Sequence, residues 1–479
     1  MGTAKMKGPP EARIGSLPLP LSERTWSGWL VAGVCATAGI GTWSFVVGGF
    51  TAYYVPAGEG TATMIAGALI GQLLVTLSQV PPVAKYGIET LASTKPQLGI
   101  RGSYFALIVQ YATLIGWNCV LMIFFGRAVA SVLIETGIIG PVQADAVAIA
   151  SSLIGAGVVF WLLTGGSTSL KYAGSIIAVG VSIIGLWMYG MLFNAYGLDA
   201  IAAAAPLAPI ENDRLMNFTV GTELLILSTL GWWAYMGSLF RMLNCVSKGV
   251  VPSMLSLGFG WAAVGLIGLY SALVVGEPDP TVWMLQIAGP VAGVCVLVFV
   301  ALANIGSALV GAHAATLGIG QIPAVARRFG WKMKAFIVLI PMLLALLFFP
   351  GPFYDNIGTF MAFIGIIIAP ICGVQIVDWF VFKRLDDLDL VSLYQHDSRS
   401  RYWYLYGFNP AGIAALVIGA VVYMLLLDPL TFVPNSTLLR YLTASIPSAL
   451  AGAVTYWGLT KALRMDAREG TYRLRERDV

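Results

Sequence analysis

Long apolar runs separated by short polar stretches dominate the chain from residue 27 onward. An α-helix needs about 20 such residues to cross the hydrocarbon of a bilayer, and twelve runs reach or approach that length: 27–55, 62–85, 101–127, 146–164, 170–195, 218–241, 250–276, 289–317, 334–350, 355–383, 410–427 and 438–461. The third, sixth, eighth and tenth are long enough to be kinked or tilted. Residues 1–26 are polar and Pro-rich and read as a disordered tail. Gly87–Leu98 reads as a short surface helix, 384–409 as an aromatic-rich surface loop, and 462–479 as a second tail.

Composition narrows the class further. The chain is 58% hydrophobic and 10% charged, where a soluble protein carries about a quarter charged residues. An all-α integral membrane protein is the class that fits. The net charge of +4 is small, and no basic cluster of the kind that holds nucleic acid stands on an aqueous face. Cys35, Cys119, Cys245, Cys295 and Cys372 lie in or beside apolar runs without CxxC spacing, so they read as small buried hydrophobes rather than a disulfide or metal framework. The N-terminus lacks a cleavable signal pattern, which leaves the first span as the membrane address.

Charge sorts the loops into two alternating sets. One holds Lys85, Lys95, Arg101, Lys171, Lys248, Arg327, Arg328 and Lys383, with the basic C-terminal tail; the other holds mainly acids, among them Asp145, Asp199, Asp213, Glu277 and Asp428. The positive-inside rule puts the first set and both termini in the cytoplasm of a cell-membrane protein.

Carriers are commonly built from two inverted repeats that meet at a midplane site made by broken helices. The first span reads Thr37-Ala38-Gly39-Ile40-Gly41-Thr42-Trp43 and the sixth Thr229-Leu230-Gly231-Trp232-Trp233. Both set Gly and hydroxyls around an aromatic near mid-depth, five spans apart. Repeats of 27–195 (helices 1–5) and 218–383 (helices 6–10) follow, with 410–461 as two added helices. Tryptophan favours the membrane interface, so Trp232 and Trp233 at depth are either a cavity wall or large packing rings.

Ionisable groups at depth usually mark function, and few are present: Glu223, Asp378, Arg127 and His313. His313 is either a packing residue or a proton carrier. No Ser/His/Asp or HExxH arrangement occurs, so catalytic machinery for a membrane enzyme is not visible. The neutral polar groups are Gln110 and Asn118 in the third span and Asn304 in the eighth. Ala303, Gly306 and Ser307 share one helix face, either a small-residue packing face or one wall of a cation site whose oxygens are carbonyls and hydroxyls.

The motifs Pro20-Leu-Ser-Glu-Arg-Thr-Trp26, Gly99-Ile-Arg-Gly102, Met361–Asp378 with Trp379-Phe380, Tyr402-Trp-Tyr404 and Gly407-Phe-Asn-Pro410 resemble those of the nucleobase–cation symport family, first class. Its members include purine, cytosine, uracil, allantoin and hydantoin permeases, and the resemblance runs from about residue 18 to 462. It implies the five-plus-five inverted repeat of the leucine-transporter type with two further helices, and secondary-active import by alternating access. It implies that Trp117 and Trp232, the latter after Gly231, sandwich a flat ring. The family's usual amide position falls on Leu121, leaving Asn118 or Gln110 to compensate. Another usual amide falls on Ala312, beside His313. The implied sodium site maps to Ala36 and Gly39 with Ala303, Gly306 and Ser307, one hydroxyl short, which keeps proton coupling through His313 or Glu223 open. No cofactor beyond a coupling Na+ is implied. The rival readings are a carrier of another solute class, such as an amino acid or vitamin, on the same scaffold, and a non-transporting sensor or channel.

Overall fold

The computed structural model describes residues 14–39, 41–210 and 213–463, and among them the chain is helical with only isolated β-bridges. Among the described residues eight helices are long and apolar enough to cross a bilayer, and a ninth span is formed by Gly28–Gly39 and Thr42–Thr51, bent by 61°. The sixth, eleventh and twelfth runs are shorter helices, Arg214–Leu230 with Met236–Phe240, Pro410–Leu426 and Ser445–Ala462. Two further breaks fall where glycine takes a left-handed backbone, Gly197 in the fifth span (φ 75°) and Gly289 in the eighth (φ 72°). A Cβ is strained there, so each helix ends and restarts.

The inverted repeat is visible in which helices touch. The second half of the first span packs along the seventh, and the second span along the sixth. Exchanging spans 1–5 with 6–10 turns the first of these pairs into the other. The third and eighth spans pack against each other, and the fourth and ninth close around them; this group maps onto itself under the same exchange. The tenth, eleventh and twelfth spans form a separate layer, in contact through the tenth with the second and sixth.

The expectation of a disordered segment over 1–26 fails for residues 14–26; residues 1–13, like 464–479, lie outside those described. Leu19 N–H donates to the Gly87 carbonyl (2.9 Å) and Trp26 N–H to that of Met242 (3.2 Å). The Arg24 guanidinium donates to the carbonyls of Leu19 (2.7 Å), Lys85 (3.0 Å) and Ala84 (3.2 Å), and the Ser16 hydroxyl to that of Leu317 (2.6 Å). Carbonyls at helix ends lack intrahelical donors, and the N-terminal segment supplies them to the ends of the second and eighth spans. The helix Thr90–Leu98 is not on the surface either: all nine residues are buried. The 385–408 loop covers it, with Lys95 Nζ on the Leu393 carbonyl (2.6 Å) and the Tyr404 hydroxyl on that of Pro96 (2.7 Å). Of the cysteines, Cys35, Cys119 and Cys372 are buried as expected, whereas Cys245 and Cys295 are exposed.

Candidate substrate chamber

Both broken helices open at the same place. Gly41 is extended (φ −105°, ψ −171°), and the Asn304 side chain spans the gap it leaves: its Oδ1 accepts from Thr42 N–H (2.8 Å) and its Nδ2 donates to Thr42 Oγ1 (2.7 Å). This caps the restarting half-helix, whose first N–H groups have no carbonyl behind them. In the sixth span the α-helix tightens to a 3₁₀ turn over Gly231–Ala234. Its far half, Met236–Phe240, presses on the start of the Thr90 helix so closely that a Cβ on Gly237 would stand 1.9 Å from Thr90 N.

Between the breaks lies a hollow lined by Ala38, Gly39, Gly41, Trp43, Trp117, Leu121, Ser228, Gly231, Trp232, Tyr235 and Ser307. Its volume is about 20 Å³, the room of roughly one water. The Trp117 ring packs on Trp43 (centroids 4.7 Å) and, edge-on, on Phe360 (5.3 Å). Its indole nitrogen abuts Gly231, where a Cβ would come within 2.7 Å. Trp232 leans on Tyr235 (5.0 Å). The indole N–H groups of Trp43 and Trp232 are buried without a protein acceptor.

Of the residues expected at the site, Trp117, Gly231, Trp232, Gly39 and Ser307 line this hollow, and the rest do not. Trp233 turns the other way, fully buried, with its N–H on Gln375 Oε1 (2.7 Å) of the tenth span; neighbours on a tight turn point apart. Gln110 lies below the chamber, donating to Glu89 Oε1 (2.7 Å) and the Ala234 carbonyl (3.0 Å). Asn118 lies behind it: its carboxamide is buried without a partner, and both its Oδ1 and the Tyr235 hydroxyl face Gly311 of the eighth span. Asn304 holds the first break, as described. His313 packs its ring on Trp331 (5.5 Å) away from the hollow. Glu223 is a structural cap, accepting from Ala444 N–H (3.0 Å), Ser445 N–H (3.1 Å) and the Ser445 hydroxyl (2.6 Å) at the start of the twelfth span. Trp43, Ser228 and Tyr235 are chamber residues that sequence reasoning left out, and Leu121 lines it at the position where the resemblance implies an amide. Trp43 and Tyr235 carried a signal, each being an aromatic just beyond a glycine break.

The expected cation site brings Ser307 to the first break, but its hydroxyl donates to the Ala38 carbonyl (2.5 Å). Gly306 supplies no hydroxyl, and a Cβ there would meet Ile177 Cδ1 at 2.5 Å and Thr37 Cγ2 at 3.0 Å. Ala303 packs among Ala36, Ile177, Val264 and Phe299. Of the two hydroxyls the resemblance implies, one is absent at Gly306, while the Ser307 oxygen, which gives its hydrogen to Ala38, keeps its lone pairs.

Similar folds are known. The transporter MHP1 of the nucleobase-cation-symport-1 family, closed with bromovinylhydantoin bound, matches with a TM-score of 0.77 at 16% identity, over 95% of this chain and 97% of that one. The inward-facing conformation of MHP1 matches at 0.75, again at 16% identity, over 95% of each chain. A Na+-coupled sialic acid symporter in a substrate-bound outward-open state follows at 0.56 and 12%, over 94% of this chain and 92% of that one. No curated protein sequence matches the chain. A sequence family described as permease for cytosine/purines, uracil, thiamine, allantoin matches residues 18–443, and with most of its length inside that match the chain belongs to this permease family and is a transporter rather than an enzyme.

Proposed function

We propose that the chain imports a planar nitrogen heterocycle of the nucleobase type, stacked on Trp117 and Trp232 and released by alternating access. As a member of its family it is a secondary-active, cation-coupled permease. The observation that carries the choice of ligand is the pair of unpartnered indole N–H groups, Trp43 and Trp232, in a chamber walled mainly by aromatic rings, glycine and small residues. A buried donor without an acceptor costs about 1–3 kcal/mol, and the ring nitrogens or carbonyls of such a heterocycle are acceptors of the right kind. Stacking adds roughly 0.5–1.5 kcal/mol per aromatic pair beyond area burial. The hollow as it stands holds about one water, so the Trp43–Trp117 pair has to part when substrate enters. Bromovinylhydantoin in the closed MHP1 transporter is a ligand of the same flat, amide-edged kind.

The ends joined by the N-terminal segment carry the basic loops, and the positive-inside rule assigns them to the cytoplasm. The opposite ends carry the Arg127–Asp279 (3.4 Å) and Arg214–Glu59 ion pairs and face outward.

A thermal-shift screen of the purified protein against purines, pyrimidines, hydantoins, allantoin, vitamins and amino acids tests the class, since a ligand that binds only the folded state raises the melting temperature. Trp117→Ala and Trp232→Ala are each expected to abolish uptake of the stabilising compound while leaving membrane expression intact. Stabilisation by amino acids alone, or normal uptake by either variant, refutes the reading.

A further inference from the structure

Among the described residues three carboxylates are buried: Glu89, Glu223 and Asp378. Glu223 caps the twelfth span. Asp378 is held by Lys383 Nζ (2.6 Å), Gln97 Nε2 (2.5 Å) and the Tyr456 hydroxyl (3.0 Å), which tie the tenth and twelfth spans to the buried helix. Both join scaffold elements to one another.

Glu89 is placed differently. It caps the Thr90–Leu98 helix through Leu91 N–H on Oε2 (2.8 Å), while Oε1 takes the Gln110 amide. The same Gln110 nitrogen donates to the Ala234 carbonyl, in the 3₁₀ turn of the sixth span. The next residue, Tyr235, lines the chamber. One side chain therefore separates a fully buried carboxylate from the break that must move during transport. Just past Glu89, Thr90 Oγ1 accepts from Gly237 N–H (2.8 Å), so the far half of the sixth span rests on this peptide. Swinging that half-helix away would uncover Glu89 toward the basic side.

The charged groups facing it come from two elements. Arg241 ends the sixth span and donates to the Leu17 carbonyl (3.0 Å). Lys95, on the same short helix, donates to the Leu393 carbonyl and to Gln321 Oε1 (3.2 Å) and lies over the Tyr394 ring. His396 stands beyond Lys95, in the 385–408 loop.

We propose that Glu89 carries the coupling proton: it is protonated while the basic side is closed and releases that proton to the cytoplasm when the sixth span's far half opens. The inference rests on the transport reading above. No covalent bond but the carboxyl O–H is made or broken, and the proton enters from outside and leaves inside. The electrostatics agree in sign. Burial raises the Glu89 pKa above the ordinary carboxylate value, against the Gln110 and Leu91 hydrogen bonds and the Arg241 and Lys95 charges. Water reaching the site lowers it again, because hydration favours the charged form. A raised pKa means that the closed form binds the proton more tightly than the open one. Low pH then favours closure, and that preference fades as pH rises through the closed-state pKa. Lys95, pushed down to about 7 mainly by burial, is neutral above that pH and does not lock Glu89 into a permanent ion pair.

Full-length protein in sodium-free proteoliposomes, with pyranine inside and radiolabelled cytosine, uracil, hypoxanthine and allantoin as a panel, provides the test. An acid-outside gradient should drive accumulation of at least one compound together with internal acidification; each pH unit supports about a tenfold gradient for one proton per substrate. Glu89→Gln keeps the shape of the side chain and one of its two acceptor oxygens. It should lose accumulation and acidification while retaining counterflow exchange, and Glu223→Gln should retain all three. Accumulation that persists in Glu89→Gln, or that requires sodium in the wild type, overturns the proposal. So does loss of counterflow in Glu89→Gln, which would make the residue structural. If the wild type shows no counterflow with any member of the panel, the transport reading falls and this inference with it, whereas the other outcomes strike Glu89 alone.

Discussion

Gly231→Ala probes the chamber with a single methyl group. The new Cβ would stand 2.7 Å from Trp117 Nε1 and 3.3 Å from its Cε2. Carbon and its neighbours prefer about 3.5–4.0 Å, so the indole edge must retreat by several tenths of an ångström. Behind it stand Trp43, at 4.7 Å between centroids, and Phe360, at 5.3 Å. In the empty protein the ring has the small hollow to move into. With a heterocycle seated there, that space is gone and the strain falls on the bound state. Overpacking of this size costs about 1–3 kcal/mol, which weakens binding by roughly 5- to 150-fold at 1.4 kcal/mol per decade. Calorimetric titration with the compound found by the thermal-shift screen measures it, with the melting temperature of the unliganded variant as a control. Trp117→Phe in the same chain removes the pyrrole edge that the methyl strikes, so the double mutant should bind better than the sum of the single effects allows. Wild-type affinity in Gly231→Ala, or strict additivity of the pair, would show that Trp117 does not form the wall beside the ligand.

Asn304→Ala strands Thr42 N–H and its hydroxyl at a buried helix start; a loss of about 1–3 kcal/mol should appear as a lower melting temperature, and an unchanged one would mean that the break needs no cap. Trp233→Phe keeps most of the buried ring but loses the bond to Gln375, so stability should fall by about 1 kcal/mol with the ranking of substrates unchanged, and a changed ranking in a competition assay would place Trp233 at the chamber after all.

Sequence alone determined the membrane class, the approximate spans and the pairing of two glycine breaks five spans apart. Backbone facing hydrocarbon must satisfy its own hydrogen bonds, which favours long apolar helices, so that constraint is written directly into composition and spacing. It also marked Trp117 and Trp232, through motifs that surround them. Which of two adjacent tryptophans faces the chamber was decided by the 3₁₀ turn at Gly231–Ala234, whose geometry no apolar pattern encodes. The same holds for Asn304 and Gln110. A carboxamide at depth looks like a ligand group in one dimension, and only the folded chain shows that backbone at a helix break had already claimed each one. Glu89 was hidden for the opposite reason. It sits in a polar stretch that reads as surface, and its burial depends on the 385–408 loop, some three hundred residues further on, and the N-terminal segment folding over it.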